Sequence, residues 1–159
     1  MTVINSNRAV RGPVTAVPVV AGKGVRLVAD TENNRWVVEA DETVLWSNAN
    51  GVSGSSFPLT LSESPTNFER VRYEFRPWSS NQTIQEKAGS ETSIQLDAAW
   101  VNTTSDVAYS FVLVLSVSGT SLSFVRNMFY QWGTSSINTS DTSQFRLFKV
   151  TGVNRIASN

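Results

Sequence analysis

The stretch AGKGVRLVADTENNRWVVEADETVLW, residues 21–46, decides the fold. Apolar residues recur at every second position over 25–29 and again over 36–40. This period of two predicts half-buried β-strands. The residues between them, Thr-Glu-Asn-Asn at 31–34, tolerate the backbone angles of a tight turn, so the two strands are expected to form a hairpin. A third run over 43–46 is expected to return beside the second strand and complete a β-meander.

The same alternation recurs along the chain and predicts an all-β protein. The further predicted strands cover 57–61, 67–76, 83–86, 92–101, 108–117, 121–129 and 144–153. The run AYSFVLVLSV at 108–117 is apolar at most positions, so we expect a central strand buried on both faces. The polar stretch SNANGVSGSS at 47–56 is predicted to be a loop. Turn signals about every ten residues predict an antiparallel β-sandwich or jelly-roll-like fold.

Charge and composition exclude several classes of function. The chain has 13 basic and 13 acidic residues, scattered along its length, and a formal net charge of zero. No overall field favours nucleic acid or an anionic membrane, so we expect neither nucleic-acid binding nor membrane insertion. Cys and His are absent, which excludes disulfides, thiol or imidazole catalysis, and metal sites built on those side chains. We expect no cofactor and no metal.

The acidic residues Glu39, Asp41 and Glu42 are the strongest candidates for catalysis. Glycoside cleavage needs two carboxyl groups about 5 to 10 Å apart across a sugar-binding cleft. Acidic residues at a strand end and turn are ordinarily solvated, and that interpretation is favoured here. The lysines also lie outside any serine-nucleophile motif. We therefore predict that the chain is not an enzyme and has no catalytic residues, with a carbohydrate-active depolymerase as the less favoured alternative.

Three segments together resemble the virion fibre proteins of tailed bacteriophages. They are residues 21–46, TLSESPTNFERVRYEF at 60–75 and FRLFKVTGVNRIAS at 145–158, and they cover roughly a third of the chain. In that family such segments form the head domain of a tail fibre or of a capsid (head) fibre. The resemblance implies a homotrimeric structural protein that is assembled in the cytoplasm of the host bacterium and contacts other virion proteins.

The resemblance also implies a domain organisation and a function. Residues 1–20 contain Pro13 and Pro18 without a firm periodicity, and we expect an extended arm or a connection to the fibre shaft. Residues 21–159 are expected to form the β-sandwich head domain. The implied function is attachment, without catalysis, to a glycan or protein receptor on the host cell or another surface. The alternative is a capsid decoration or head-fibre protein that has no receptor role.

Aromatic residues beside amide and hydroxyl side chains suggest a receptor site in the part of the chain that carries no resemblance. A ring face stacks on the C–H surface of a sugar, while amides and hydroxyls form hydrogen bonds to it. The candidate ligand-binding residues lie in and beside two loops and are Trp78, Asn81, Tyr130, Gln131, Trp132 and Asn138. Trp36, Trp46 and Trp100 lie inside predicted strands, which favours the core. For Trp78 and Trp132, beside turns, core and surface stay equally open.

Overall fold

The computed structural model describes residues 25–33, 35–77, 80–133, 137–139 and 143–156. Contacts divide the chain into two compact units, Met1–Asp41 and Glu42–Asn159. The predicted arm over residues 1–20 lies outside the described residues. The predicted start of the head domain, residue 21, also lies outside the described residues. Every strand of the sandwich described below lies within the second unit.

A β-hairpin occupies the described part of the first unit. Strand β1 (Val25–Asp30) pairs antiparallel with β2 (Arg35–Ala40), which confirms the predicted hairpin. The Asp30 carboxylate accepts hydrogen bonds from Asn33 Nδ2 at 2.9 Å and Arg35 Nε at 2.7 Å, and these bonds lower the pKa of Asp30. Trp36 is 66% exposed, so the core position predicted for it is wrong. A two-stranded ribbon has too little surface to enclose an indole ring.

The second unit is a β-sandwich of antiparallel strands. In chain order the strands are β3 (Glu42–Val52), β4 (Leu59–Thr60), β5 (Phe68–Pro77), β6 (Thr83–Ala88), β7 (Ser93–Asn102), β8 (Val107–Ser118), β9 (Ser121–Gln131), β10 (Ile137–Thr139) and β11 (Phe145–Arg155). One sheet has the order β3-β11-β5-β6. The other has the order β10-β9-β8-β7, with β4 paired to β9. Short 3-10 turns at Gly54–Ser56 and Pro65–Asn67 join the elements around β4. The predicted fold class is confirmed.

One hydrophobic core lies between the two sheets. Its fully buried members include Tyr73 and Phe75 of β5, Phe111 and Leu113 of β8, and Leu147 of β11. They alternate with more exposed residues along each strand, as a sandwich requires. The burial of every second residue explains why the alternation in the sequence predicted these strands.

Strands β3 and β8 depart from the predictions. Strand β3 runs on to Val52 through the predicted loop, and it pairs with β11 rather than with β2, so the expected meander is wrong. It lies at a sheet edge, where the ladder to β11 holds a polar sequence of weak β-propensity in strand form. Strand β8 is central, but only the face of Phe111 and Leu113 is buried. Val112 and Val114 on its other face are half-buried, so burial of both faces is wrong.

The side chain of Gln85 joins the edges of the two sheets. Its Nε2 donates a hydrogen bond to the carbonyl oxygen of Asp97, and its Oε1 accepts one from the backbone N–H of Asp97 at 3.1 Å. The side-chain amide of Gln85 on β6 thus forms with β7 the pair of hydrogen bonds that the backbone of a neighbouring strand would form. This bridge fixes β6 beside β7 and with it the loop that precedes β6.

Candidate receptor-binding end

Three connections of the sandwich meet at one end. Strand β5 ends at Pro77, which pairs with the first residue of β11, and β7 ends where β8 begins. Strand β9 ends beside the start of β8, since Tyr109 pairs with Gln131. We call the described loop residues 80–82, 102–106 and 132–133 the loop end. The antiparallel order therefore brings together loops that are far apart in the sequence.

The β7–β8 turn is fixed by its own polar residues. Asn102 Oδ1 accepts a hydrogen bond from the backbone N–H of Thr104 at 3.0 Å, and its carbonyl accepts one from Ser105 at 3.2 Å. Asp106 has a left-handed backbone with φ of 52°, which Asp tolerates better than most residues. The turn is preorganised and exposes the Thr103 hydroxyl group to solvent.

A cleft of about 330 Å³ lies at the loop end. Its walls are formed by Ser80, Asn81, Trp100, Val101, Asn102 and Thr103. This volume is at the lower end of the range for small-molecule sites, which is roughly 300 to 1,000 Å³. Hydroxyl and amide groups beside an indole ring suit a sugar, whose faces are apolar and whose edges form hydrogen bonds.

Trp100 belongs both to the core and to the cleft. Its ring stacks on Tyr109 with centroids 5.4 Å apart and also contacts Phe129 at 5.8 Å. It is half-buried and packs against the core cluster, as the sequence predicted, while it also lines the cleft. Trp46 is likewise half-buried against the core. The rings behind Trp100 hold its indole in place at the cleft wall.

Trp132 lies at the surface. Its side chain is 60% exposed, although its backbone N–H donates a hydrogen bond to the carbonyl of Ala108 at 2.8 Å. The indole meets the ring of Tyr130 edge-on, with centroids 5.3 Å apart and an interplanar angle of 88°. The sequence left open whether Trp132 lies in the core or at the surface, and the structure places it at the surface. An exposed aromatic ring is held there by a neighbouring ring and a fixed backbone.

The other candidate residues have separate outcomes. Asn81 is exposed and lines the cleft, while Tyr130 and Gln131, the last two residues of strand β9, are half-buried. Trp78 lies outside the described residues. Asn138 pairs through its backbone with Phe129, and its side chain lies outside what the structure describes.

Sequence reasoning missed part of the cleft. Ser80, Asn102 and Thr103 line it, but none was a candidate. The available signal was the Asn-Thr-Thr turn at 102–104, which begins two residues after Trp100, because Asn and Thr near an aromatic residue combine hydrogen bonding with stacking. It was overlooked because Trp100 was assigned to the core alone.

Among the acidic candidate residues, Glu42 is held by a basic side chain. Glu42 Oε1 accepts a hydrogen bond from Arg72 NH1 at 2.9 Å, within an ion pair. The side chain of Glu39 lies outside the description. No cluster of three or more acidic residues that could hold a metal ion occurs within the ranges described. The helical segments described there are also too short to cross a membrane.

No family model matches the chain, and no curated protein matches it. The fold, the cleft and the exposed aromatic pair are therefore the observations that bear on function.

Proposed function

We propose that this chain is the head domain of a bacteriophage virion fibre, a homotrimer that attaches the particle to a neutral glycan on the host cell without catalysis. The exposed indole of Trp132, fixed edge-on against Tyr130 at the same end as the cleft, is the observation that carries the attachment role. Placement in a fibre rests on the resemblance of segments 21–46, 60–75 and 145–158.

Energetics favour a binding role for Trp132. A large aromatic ring left in water forgoes the stabilisation that burial would give, roughly 1.5 to 3 kcal/mol for a side chain of this kind. Its contact with Tyr130 and the backbone bond to Ala108 order the ring in advance. A ligand that stacks on it would lose little additional conformational entropy, which is the benefit of preorganisation.

The charges at the loop end favour a neutral ligand. Asp106 is the one charged side chain among its described residues, which otherwise carry hydroxyl, amide and aromatic groups. An acidic polysaccharide would need Lys or Arg as a counter-charge. A neutral glycan needs stacking surfaces and amide or hydroxyl partners, which Trp100, Asn81 and Thr103 supply.

Binding to an array of neutral and acidic glycans tests the proposal. We expect the wild type to bind a subset of the neutral glycans, and both Trp132→Ala and Asn81→Ala to weaken that binding about tenfold or more, since about 1.4 kcal/mol corresponds to a factor of ten. The matched control is Ile156→Ala, because Ile156 is 51% exposed and follows β11 at the opposite end. Selective binding of acidic glycans, or equal binding by all variants, would contradict the proposal. Wild-type protein that binds neither glycans nor cells would favour a decoration role.

A further inference from the structure

The two outer faces of the sandwich differ in charge. On the β3-β11-β5-β6 sheet, Arg70 contacts Glu86 at 2.7 Å, and Arg72 bridges Glu42 at 2.9 Å and Glu86 at 2.8 Å. The hydrogen bonds and charges of these two carboxylates, with Glu86 the larger influence, raise the pKa of Arg72. The four ionic groups of this ladder, Arg70, Arg72, Glu42 and Glu86, are paired with groups of opposite sign, and water can solvate the ladder. We call this side the charged face.

The outer side of β7, β8 and β9 carries few charges. Its residues alternate with the buried Leu96, Leu113 and Phe129. The positions that define it are Asp97 and Ala99 of β7, Val112 and Val114 of β8, and Arg126 and Met128 of β9. The register places them side by side, since Asp97 pairs with Val112, which pairs with Met128, while Val114 pairs with Arg126. We call this side the neutral face.

The neutral face is large enough to serve as an interface. Three strands at the usual spacing and about ten residues in length span on the order of 500 Å² in projection. A standard stable interface buries roughly 800 Å² of each partner, and pleating makes the accessible area of a sheet larger than its projection. The apolar part of the face, Val112, Val114 and Met128, is smaller than this projection and is bordered by polar and charged side chains. Its apolar centre, Val112 and Val114, is depleted of charge as interface cores are.

The charges on the neutral face indicate what covers it. Asp97 and Arg126 have opposite signs and lie on the two strands that flank β8. Among the described residues neither takes part in an ion pair; Asp97 accepts a hydrogen bond from Gln95 Nε2 at 3.0 Å. A face with one charge of each sign complements a copy of itself. Nucleic acid or an anionic membrane would instead require a face of one sign.

We propose that the neutral face packs against a second copy of this chain, with Asp97 of one copy paired to Arg126 of the next. The apolar centre of the face would supply the hydrophobic stabilisation, and the charge pairs would fix the register of the two copies. The number of copies, three, rests on the fibre function proposed above, whereas the choice of face does not.

Sedimentation at micromolar concentration tests the interface. We expect the wild type to sediment as a multiple of its 17.4 kDa chain mass. Val112→Arg should sediment as the single chain, because a buried arginine without a partner opposes association. The matched control, Ile84→Arg, should keep the wild-type mass, since Ile84 is 59% exposed and pairs with Glu74 on the charged face. A monomeric wild type, or an associated Val112→Arg variant, would overturn the proposal.

A charge exchange separates loss of the interface from loss of folding. Asp97→Arg and Arg126→Asp should each raise the dissociation constant between copies about tenfold or more, and the double variant should restore it toward the wild-type value. Failure of the double variant to associate better than either single variant would overturn the paired geometry. Asn81→Ala, at the cleft, should weaken glycan binding at unchanged mass, so failure of attachment and failure of assembly are distinguishable.

Discussion

Trp100 and Trp132 border the same end of the sandwich in different surroundings. The ring of Trp100 is wedged against Tyr109 and Phe129, whereas that of Trp132 touches Tyr130 and is otherwise open to solvent. The first therefore supports the core and, in the proposed function, also contacts the ligand. The second is the cleaner probe of ligand binding, because its removal leaves no cavity in the core.

Denaturant unfolding should separate the two tryptophans. Trp100→Ala is expected to lower the free energy of unfolding by about 2 to 3 kcal/mol, less than for a fully buried ring because Trp100 is half-buried. Trp132→Ala should change it by under about 0.5 kcal/mol, as at other exposed positions. Equal losses in the two variants would show that Trp132 also supports the core.

Gly152 makes room for the ring of Phe68. A Cβ added at Gly152 would lie 2.5 to 2.6 Å from three atoms of that ring, so Gly152→Ala should destabilise the protein by about 1 to 3 kcal/mol through overpacking. The control is the double variant Gly152→Ala with Phe68→Leu, in which the smaller side chain should recover part of the loss. A Gly152→Ala variant as stable as the wild type in thermal melting would contradict this packing.

The acidic residues provide a check on the prediction that the chain is not an enzyme. Glu42→Gln should shift stability by under about 1 kcal/mol, because the Arg72–Glu42 pair is partly exposed and such pairs contribute little. Replacement of Glu39 or Asp41 by the matching amide should leave function unchanged as well. The measurement is reducing-sugar release from host polysaccharide. A hydrolytic activity that is present in the wild type and lost in any of these variants would establish an enzyme.

Single residues are predictable from the sequence only where local pattern determines their surroundings. Arg70, Arg72 and Glu74 alternate with Val71, Tyr73 and Phe75, and the second set is buried while the charged residues are not, as local alternation requires. Phe68 follows the same alternation as Arg70 yet is buried. Its burial depends on Gly152 beneath the ring and on Arg155, whose guanidinium lies 4.7 Å from the ring centroid. Contacts between such distant residues leave no local signal.

At the scale of elements, an ion pair ties the segment before β5 to the end of β11. Arg155 donates two hydrogen bonds to the Glu63 carboxylate, at 2.7 and 2.6 Å. This fork, with a smaller contribution from Asn67, lowers the pKa of Glu63 below its ordinary value of 4.5. We call this Glu63–Arg155 ion pair the clamp. It stabilises the fold only while the Glu63 carboxylate is ionised.

Acid should release this clamp. A carboxyl whose pKa is lowered by folding contributes stability that is fully present above its unfolded pKa and is lost as the pH falls through its folded pKa. For Glu63 the loss begins near the ordinary value of 4.5 and continues below it. Glu63→Gln should cost about 1 kcal/mol or less at neutral pH. The free energy of unfolding of the Glu63→Gln variant should also depend less on pH between about 5 and 3 than that of the wild type. Parallel pH profiles would contradict the role of the clamp.

Strand existence could be predicted, but strand partners and extents could not. Alternation is local, and it predicted β5, β7 and the hairpin. The pairing of β3 with β11 joins residues about a hundred positions apart, and no short-range pattern specifies it. Burial of both faces of β8 was predicted because Val112 and Val114 are as apolar as the buried residues beside them, and a run of apolar residues does not distinguish a buried face from a half-buried one.

On the scale of the whole molecule, the sandwich separates three surfaces. The loop end carries aromatic, amide and hydroxyl groups, the charged face carries an ion-pair ladder, and the neutral face carries an apolar centre between two opposite charges. This arrangement accounts for a composition with only 16% charged residues. If one face serves assembly and one end serves binding, as proposed, strong charge is needed on neither.

Adsorption to host bacteria is the measurement that tests attachment through the loop end most directly. Fluorescently labelled wild type, Trp132→Ala and Ile156→Ala would be compared on the same cells, with melting temperatures and sedimentation recorded for each. We predict that Trp132→Ala loses adsorption about tenfold or more at unchanged fold and mass, while Ile156→Ala adsorbs like the wild type. Undiminished adsorption by a folded Trp132→Ala protein would contradict attachment through the loop end.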